Sequence, residues 1–358
     1  MSLTAIGLSG GVDSAVAALL LKESGHDLIG VFMKFWQPPQ TGVCLSCREN
    51  TCCNRESYLR TKRLCVYLGI PLVIYDFGQE FKQKVVDQYI KYYQSGRTPN
   101  PCIWCNEHIK FKLFLQRTKK EFKVDHVATG HYAQINNLDD YYYLKKAEDQ
   151  TKDQTYFLYR LSQNILQRTI FPLGKIIKEE VKKIASLELK KFTFHTTKES
   201  QDLCFLPDDQ AKNNLLSNLG PGSIKIGNDQ IVGTHDGINK YTIGQRHGLN
   251  ITNKPGPFYV TGLDPKANTV YIGKKSEVYA AGISLKKIIA SPMLINKKTY
   301  TAKTRSQSRV EKCVALITNN TISLQFVKPQ FAPTIGQHTV IYDHDIVVGG
   351  GEINRINK

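Results

Sequence analysis

Residues 9–14 read Ser-Gly-Gly-Val-Asp-Ser, placed between the apolar run 3–8 and a segment of small and apolar residues, 15–22. A strand that runs into paired glycines can turn tightly and aim backbone N–H groups at a phosphate, and a following helix adds its positive end. Ser9 and Ser14 supply hydroxyl donors, and Asp13 supplies a carboxylate suited to magnesium. The Gly-Lys-Ser/Thr ending of a Walker loop is absent, which argues against ordinary γ-phosphoryl transfer. A plain strand-to-helix turn with a capping serine and aspartate is the simpler alternative.

Thiols are the second set of reactive groups. Nine cysteines stand at 44, 47, 52, 53, 65, 102, 105, 204 and 313 in a chain that reads without an export signal, so metal binding or thiol chemistry is expected rather than a disulfide framework. Cys44, Cys47, Cys52 and Cys53 have a spacing compatible with zinc, or are plain thiols of a polar loop. Cys65 and Cys313 lie among apolar residues and read as core. Cys105 opens a segment with helical character to about residue 118, where a helix N-terminus would favour the thiolate.

The elements that must hold these groups alternate. Strands are expected at 3–8, 27–33, 71–76 and 125–129, and helices at 15–22, 56–68 and 81–93, a pattern that argues for a mostly parallel sheet covered by helices. After about residue 205 the texture changes to short β-type runs punctuated by Gly, Pro, Asn and Asp, such as 222–226, 259–263 and 269–272. Further strand-like stretches at 314–317, 321–327 and 339–342 fit a small barrel. A length of 358 residues suits two or three domains.

Charge points to the partner. Lys plus Arg number 48 against 31 Asp plus Glu, a net +17 that suits a polyanion whose counterions are released on binding, or a Lys-rich bias that only solvates the surface. No long uncharged apolar run appears, so a cytoplasmic protein without membrane contact is the expectation.

Ser-Gly-Gly-Val-Asp-Ser resembles the loop of the ATP pyrophosphatases, which adenylate an oxygen and release pyrophosphate. Further stretches are similar to one branch, the tRNA-specific 2-thiouridylases. They are Gly-Val-Phe-Met-Lys at 30–34, Gly-Arg-Thr-Pro-Asn-Pro at 96–101, Cys105-Asn106, Ala-Thr-Gly-His-Tyr at 128–132 and Lys-Asp-Gln-Thr-Tyr-Phe-Leu at 152–158. Later come Ser-Gln-Asp-Leu-Cys-Phe at 200–205, Tyr-Thr-Ile-Gly-Gln-Arg-His-Gly-Leu at 241–249 and the glycines 349–351.

The resemblance implies an α/β fold with three parts: a Rossmann-like ATP pyrophosphatase domain with a parallel sheet over 1–205, a small β-rich tRNA-binding domain over 206–280, and a C-terminal β-barrel over 281–358. It implies 2-thiolation of the wobble uridine of tRNAs of the Lys, Glu and Gln type, with ATP and Mg2+ as cofactors. Gly7, Leu8, Ser9, Gly10, Gly11, Val12, Asp13 and Ser14, with Met33 and Gly130, would hold ATP. Asn100, Pro101 and Cys102 would lie against the target base, and His131, Lys152, Asp153, Gln154, Arg305, Ser306 and Gln337 would contact tRNA. Cys204 would carry a persulfide delivered by a cysteine desulfurase or sulfur-relay protein, Cys105 would release the sulfur, and Asp13 would serve adenylation. Better-known members have Asp at position 102, so Cys102 puts that acidic role in doubt. Cys102, Cys105 and Cys204 resemble instead a variant thiolase pattern in which three thiolates hold a [4Fe-4S] cluster. Two other readings are a small-metabolite ATP pyrophosphatase that transfers ammonia, and a non-catalytic RNA-binding module.

Overall fold

The computed structural model describes residues 2–37, 54–192, 203–206, 215, 216, 220–227, 229–249, 251, 256–318 and 320–358. Its elements, in chain order, begin with β1 (Leu3–Leu8), α1 (Val12–Glu23), β2 (Asp27–Lys34), α2 (Arg55–Leu68) and β3 (Leu72–Asp76). Next come α3 (Gly78–Phe81), a π-helical turn (Lys82–Val86), α4 (Asp87–Gln94), α5 (Pro101–Trp104), a π-helical segment (Cys105–Leu113) and α6 (Phe114–Phe122). Then follow β4 (His126–Thr129), β5 (Gln134–Leu138), β6 (Tyr141–Lys145), α7 (Thr155–Leu158), α8 (Gln163–Leu166), β7 (Thr169–Ile170) and α9 (Lys178–Glu188).

The chain divides into two compact units. The first comprises residues 1–86, 101–211 and 345–347, and the second 87–100, 212–344 and 348–358. The first is built on a sheet of order β3-β2-β1-β4-β7 whose neighbours all run parallel. Its central strands are buried along nearly their whole length, which is why 3–8 reads as a continuous apolar run and not as an alternation. Ala15, Val16, Ala17 and Ala18 let α1 lie close against the sheet, and they share one core with Ile6, Leu8, Leu64, Leu173 and Val181. Helix α2 has legible ends. Asn54 accepts from the Ser57 N–H at 2.7 Å, and Gly69 closes the helix at φ 62° with Ile70 N–H bonded to the Cys65 carbonyl.

In the second unit, β8 (Gly222–Ile226), β9 (Gln230–His235), β10 (Tyr259–Asp264) and β11 (Thr269–Gly273) form a sheet of order β10-β11-β8-β9 over a core of Ile224, Val232, Val260, Val270 and Ile272. The strands β12 (Tyr279–Ala290), β13 (Thr299–Lys303), β14 (Glu311–Thr318), β15 (Thr321–Phe331), β16 (His338–Asp343) and β17 (Ile346–Asn357) follow the order β12-β15-β14-β13-β16-β17. Pairing of β17 back onto β12 closes them into a six-stranded antiparallel barrel, which leaves its strands without open edges. The fold class expected from the sequence is therefore the one observed. Among the described residues no helix is long and apolar enough to cross a membrane.

Candidate functional site

In the first sheet β1 has β2 on one side and β4 on the other, so the strand order reverses beside β1, and ligands of open α/β sheets bind at the carboxyl ends of such strands. The loop 9–14 leaves β1 at that end, and Gly130 leaves β4 there. Gly10 takes φ 73°, and a Cβ on it would lie 2.5 Å from the Ser57 carbonyl oxygen. A Cβ on Gly130 would lie 2.7 Å from the Asp13 carbonyl carbon and the Ser14 nitrogen. Both glycines are demanded by close backbone approach.

The serines brace the loop. Ser14 Oγ donates to the Gly11 carbonyl at 3.0 Å and accepts from the Ser9 N–H at 3.2 Å, while the two hydroxyls lie 3.2 Å apart. Gly11 caps α1 with no side chain, so the first-turn N–H groups have no intrahelical acceptor. Arg60 of α2 ties the outside of the loop, its Nε donating to the Gly10 carbonyl at 2.9 Å. Met33 closes the neighbourhood, because a Cβ on Gly7 would lie 2.8 Å from its Cε.

Asp13, in the first turn of α1, is held from two sides. Lys178 Nζ donates to both carboxylate oxygens, at 2.6 and 2.8 Å, and Tyr132 Oη donates to one of them at 2.8 Å. Lys178 is 5% exposed, and its own backbone N–H donates to Asp149 at 3.0 Å. The loop's backbone donors fit a nucleotide phosphate. The Asp13 carboxylate is engaged by the Lys178 cation.

Cys102 and Cys105 occupy a helical run continuous from Pro101 to Phe122. The helix starts at Pro101, a residue suited to a first helical position, rather than at Cys105 as the sequence suggested. Its N-terminal dipole field falls on Cys102, and Cys105 stands a turn further in, where that field fades. Cys105 is buried and Cys102 half-buried. Asn106 Nδ2 donates to the Phe157 carbonyl at 3.1 Å, and Glu107 takes a two-bond contact from Arg160 at 2.6 and 3.2 Å, fixing the cysteine helix to the segment around α7.

Cys204 is half-buried beside Phe205, whose ring packs edge-on against Phe81 of α3 at 5.6 Å. Helix α3 also touches the π-helical segment that begins at Cys105, so one short helix abuts both cysteine-bearing segments. Among the described residues no three His, Cys, Asp or Glu side chains converge as a metal site. Cys102, Cys105 and Cys204 are accordingly not gathered as one three-thiolate group among the described residues. Cys44, Cys47, Cys52 and Cys53 lie outside the described residues.

The expected RNA contacts divide between the units. In the first, His131 is half-buried against the rings of Phe111 and Phe171 with Thr129 Oγ1 2.8 Å from its Nδ1. Burial, reinforced by Lys110, pushes its pKa down to about 3, so the ring is neutral at physiological pH. Asp153 accepts from Thr155 Oγ1 at 2.7 Å and from the Ala147 N–H at 3.2 Å, and burial raises its pKa. Gln154 Oε1 accepts from the Tyr132 N–H at 2.9 Å, and the Lys152 N–H donates to the Asp149 carbonyl at 3.0 Å. Gln154 thereby braces the backbone of Tyr132, the partner of Asp13. In the second unit, Arg305 donates to the Ile243 carbonyl at 3.2 Å and to Thr334 Oγ1, with half-buried Ser306 next to it. Gln337 Nε2 donates to the Pro99 carbonyl at 3.3 Å, and the Thr98 N–H to the Ile335 carbonyl at 3.0 Å, which fastens the segment before buried Asn100 to the barrel loop.

Three residues at this site carried no recognisable signal. Lys178 lies in a lysine-rich helical stretch with nothing to single it out, and Arg60 is one of several cations on α2. Tyr132 stood inside a recognised motif but without a role.

Three family models cover the chain in succession: the tRNA methyl transferase HUP domain over residues 3–208, the tRNA methyl transferase PRC-barrel domain over 212–274 and the aminomethyltransferase beta-barrel domain over 284–353. The tRNA-specific 2-thiouridylase MnmA of Clostridium botulinum is 38% identical over 359 aligned residues, which cover 98% of this chain and 97% of that protein. The protein of the same name from Clostridium beijerinckii is also 38% identical, with 98% of each chain covered. With three family models in succession along the chain and 38% identity over nearly the whole length of both relatives, the chain belongs to the tRNA-specific 2-thiouridylase family.

Proposed function

We propose that the protein thiolates C2 of the wobble uridine of tRNAs of the Lys, Glu and Gln type at the expense of ATP. The observation that carries this reading is the braced loop 9–14 at the strand-order reversal, with the Cys105 and Cys204 segments both packed on α3 in the same unit. A loop base is cheaper to extract than a paired one, so an anticodon uridine can reach a nucleotide held at that loop.

The uridine O2 attacks the α-phosphate of ATP and pyrophosphate leaves, while the backbone N–H groups of the loop and the α1 terminus stabilise the charge that moves onto the leaving oxygens. Mg2+, when bound with ATP, neutralises phosphate charge. Cys204 carries a persulfide supplied by a sulfur donor such as a cysteine desulfurase. Its terminal sulfur attacks C2, and the C2–O2 bond breaks as AMP departs with the uridine oxygen. The Cys105 thiolate then attacks Cys204 Sγ, the S–S bond to the uridine sulfur breaks, and 2-thiouridine leaves with a Cys105–Cys204 disulfide behind, which an external thiol reduces.

Oxygen tracing tests the order of bonds. With tRNA carrying oxygen-18 at C2 of the target uridine, the label is expected in AMP. Label recovered in water with unlabelled AMP would rule out adenylation of that oxygen.

A further inference from the structure

The second unit contains a buried carboxylate that the reaction does not use. Glu352 follows the glycines 349–351 on β17 and its side chain is 1% exposed. Its Oε2 accepts from Tyr92 Oη at 2.6 Å and from Lys287 Nζ at 3.0 Å. Its Oε1 has no hydrogen-bond donor, only the cations of Lys286 at 3.4 Å and Arg97 at 3.7 Å. Burial alone would raise the carboxyl pKa, but the bonds from Tyr92 and Lys287 and the charges of Lys287 and Lys286 outweigh it and lower it.

One negative charge therefore gathers three positive ones, contributed by the loop after α4 and by a bulge in β12 where Lys287 takes φ 48°. The three cations are not buried with it: the side chains of Lys286, Arg97 and Lys287 are 25%, 36% and 58% exposed. Oε1 holds Arg97 and Lys286 at ion-pair distance without a hydrogen bond, so their donors can turn to a second anion at little cost. A site with three cations on one fixed carboxylate matches a singly charged phosphodiester, which completes the charge balance more fully than Glu352 alone. Arg97 precedes Asn100 by three residues, a reach of about 10 Å of extended chain. The phosphate served would then belong to the RNA strand near the target base.

We propose that Arg97, Lys286 and Lys287 form a binding site for one backbone phosphate of the substrate RNA, with Glu352 as the positioning residue that assembles it. The proposal rests on the reading of the protein as a tRNA thiolase. The test is binding of unmodified tRNA transcript, measured from about 50 to 200 mM salt, by wild type, Arg97→Ala, Lys286→Ala, the double variant and Glu352→Gln. Each single alanine variant is expected to reduce the slope of log K against log salt by about 0.7 to 0.9, and the double variant to reduce it no further, because both cations serve one phosphate. Glu352→Gln is expected to bind more weakly, although it removes a negative charge. Unchanged slopes, or a second equal drop in the double variant, would overturn the single-phosphate site. Tighter binding by Glu352→Gln would overturn the positioning role. Wild-type protein that binds tRNA no better than a non-nucleic polyanion would instead overturn the tRNA reading itself.

Discussion

Replacing Lys178 by methionine keeps the length of the buried stem and removes the charge that sits 2.6 and 2.8 Å from the two oxygens of Asp13. Breaking a fully buried pair by deleting one partner costs about 3–5 kcal/mol, because the remaining charge loses its compensation. Here the Asp13 side chain is 33% exposed and Tyr132 still donates to it, so water and a hydrogen bond recover part of that cost. The discounted loss is about 1–3 kcal/mol, which for a domain of this size lowers the melting temperature by roughly 2–10 °C. The effect on ATP has a separate signature. An uncompensated carboxylate in the first turn of α1 repels the triphosphate, and about 1–2 kcal/mol of repulsion raises KM for ATP about 5- to 30-fold. Extra magnesium should shrink that increase, whereas a purely structural defect would not respond to it. Pyrophosphate release at varied ATP and magnesium, beside thermal unfolding of Lys178→Met and Lys178→Arg, reads both effects. Arginine should restore part of the ATP affinity. A Lys178→Met enzyme with wild-type melting temperature and wild-type KM would refute the role assigned to the pair.

Gly10→Ala should abolish pyrophosphate release, since a Cβ there would press to 2.5 Å on the Ser57 carbonyl oxygen from a left-handed backbone. Retained ATP turnover would show that the loop can rearrange without loss. His131 predicts a pH dependence of stability: with a folded pKa of about 3 against an ordinary value near 6.5, it takes up its proton only in the unfolded chain between those values. Stability should therefore be unaffected above about pH 6.5 and fall as pH drops below it, by at most about 1.4 kcal/mol per pH unit. Denaturant melts should show that extra loss in wild type and not in His131→Gln; parallel curves would refute it. Cys65 and Cys313, pushed up by burial to about 11 and about 12, should resist a mild alkylating agent at pH 8 in the native protein. Modification of both at the rate of the unfolded chain would contradict their place in the core.

What the sequence could convey depended on how local the cause was. The run 3–8, the glycines at 10 and 11 and the small residues of α1 lie together, so strand, loop and helix could be read directly. The cysteine helix was misplaced by one turn because Pro101, and not Cys105, begins it and the helical run goes on through a π-helical segment. The β5–β6 hairpin and α9 went unread; their apolar spacing is broken by charged and aromatic residues whose burial depends on the rest of the fold. The remaining gaps are long-range. Lys178 reaches Asp13 across 165 residues and Tyr92 reaches Glu352 across 260, and no local pattern announces a contact of that span. The grouping of residues 87–100 with the second unit has the same origin, since Gln337 and Ile335 fasten that segment from far along the chain.

The central claim is that a nucleotide-activated tRNA uridine receives sulfur through Cys204. Wild type and Cys204→Ser should be incubated with unmodified tRNA, magnesium ATP, cysteine and a cysteine desulfurase, with thiolated nucleoside quantified by mass spectrometry and pyrophosphate measured in parallel. 2-Thiouridine is expected from wild type only, with pyrophosphate released by both. Thiouridine formed equally by Cys204→Ser, or pyrophosphate release by wild type with no thiouridine in the tRNA, would contradict it.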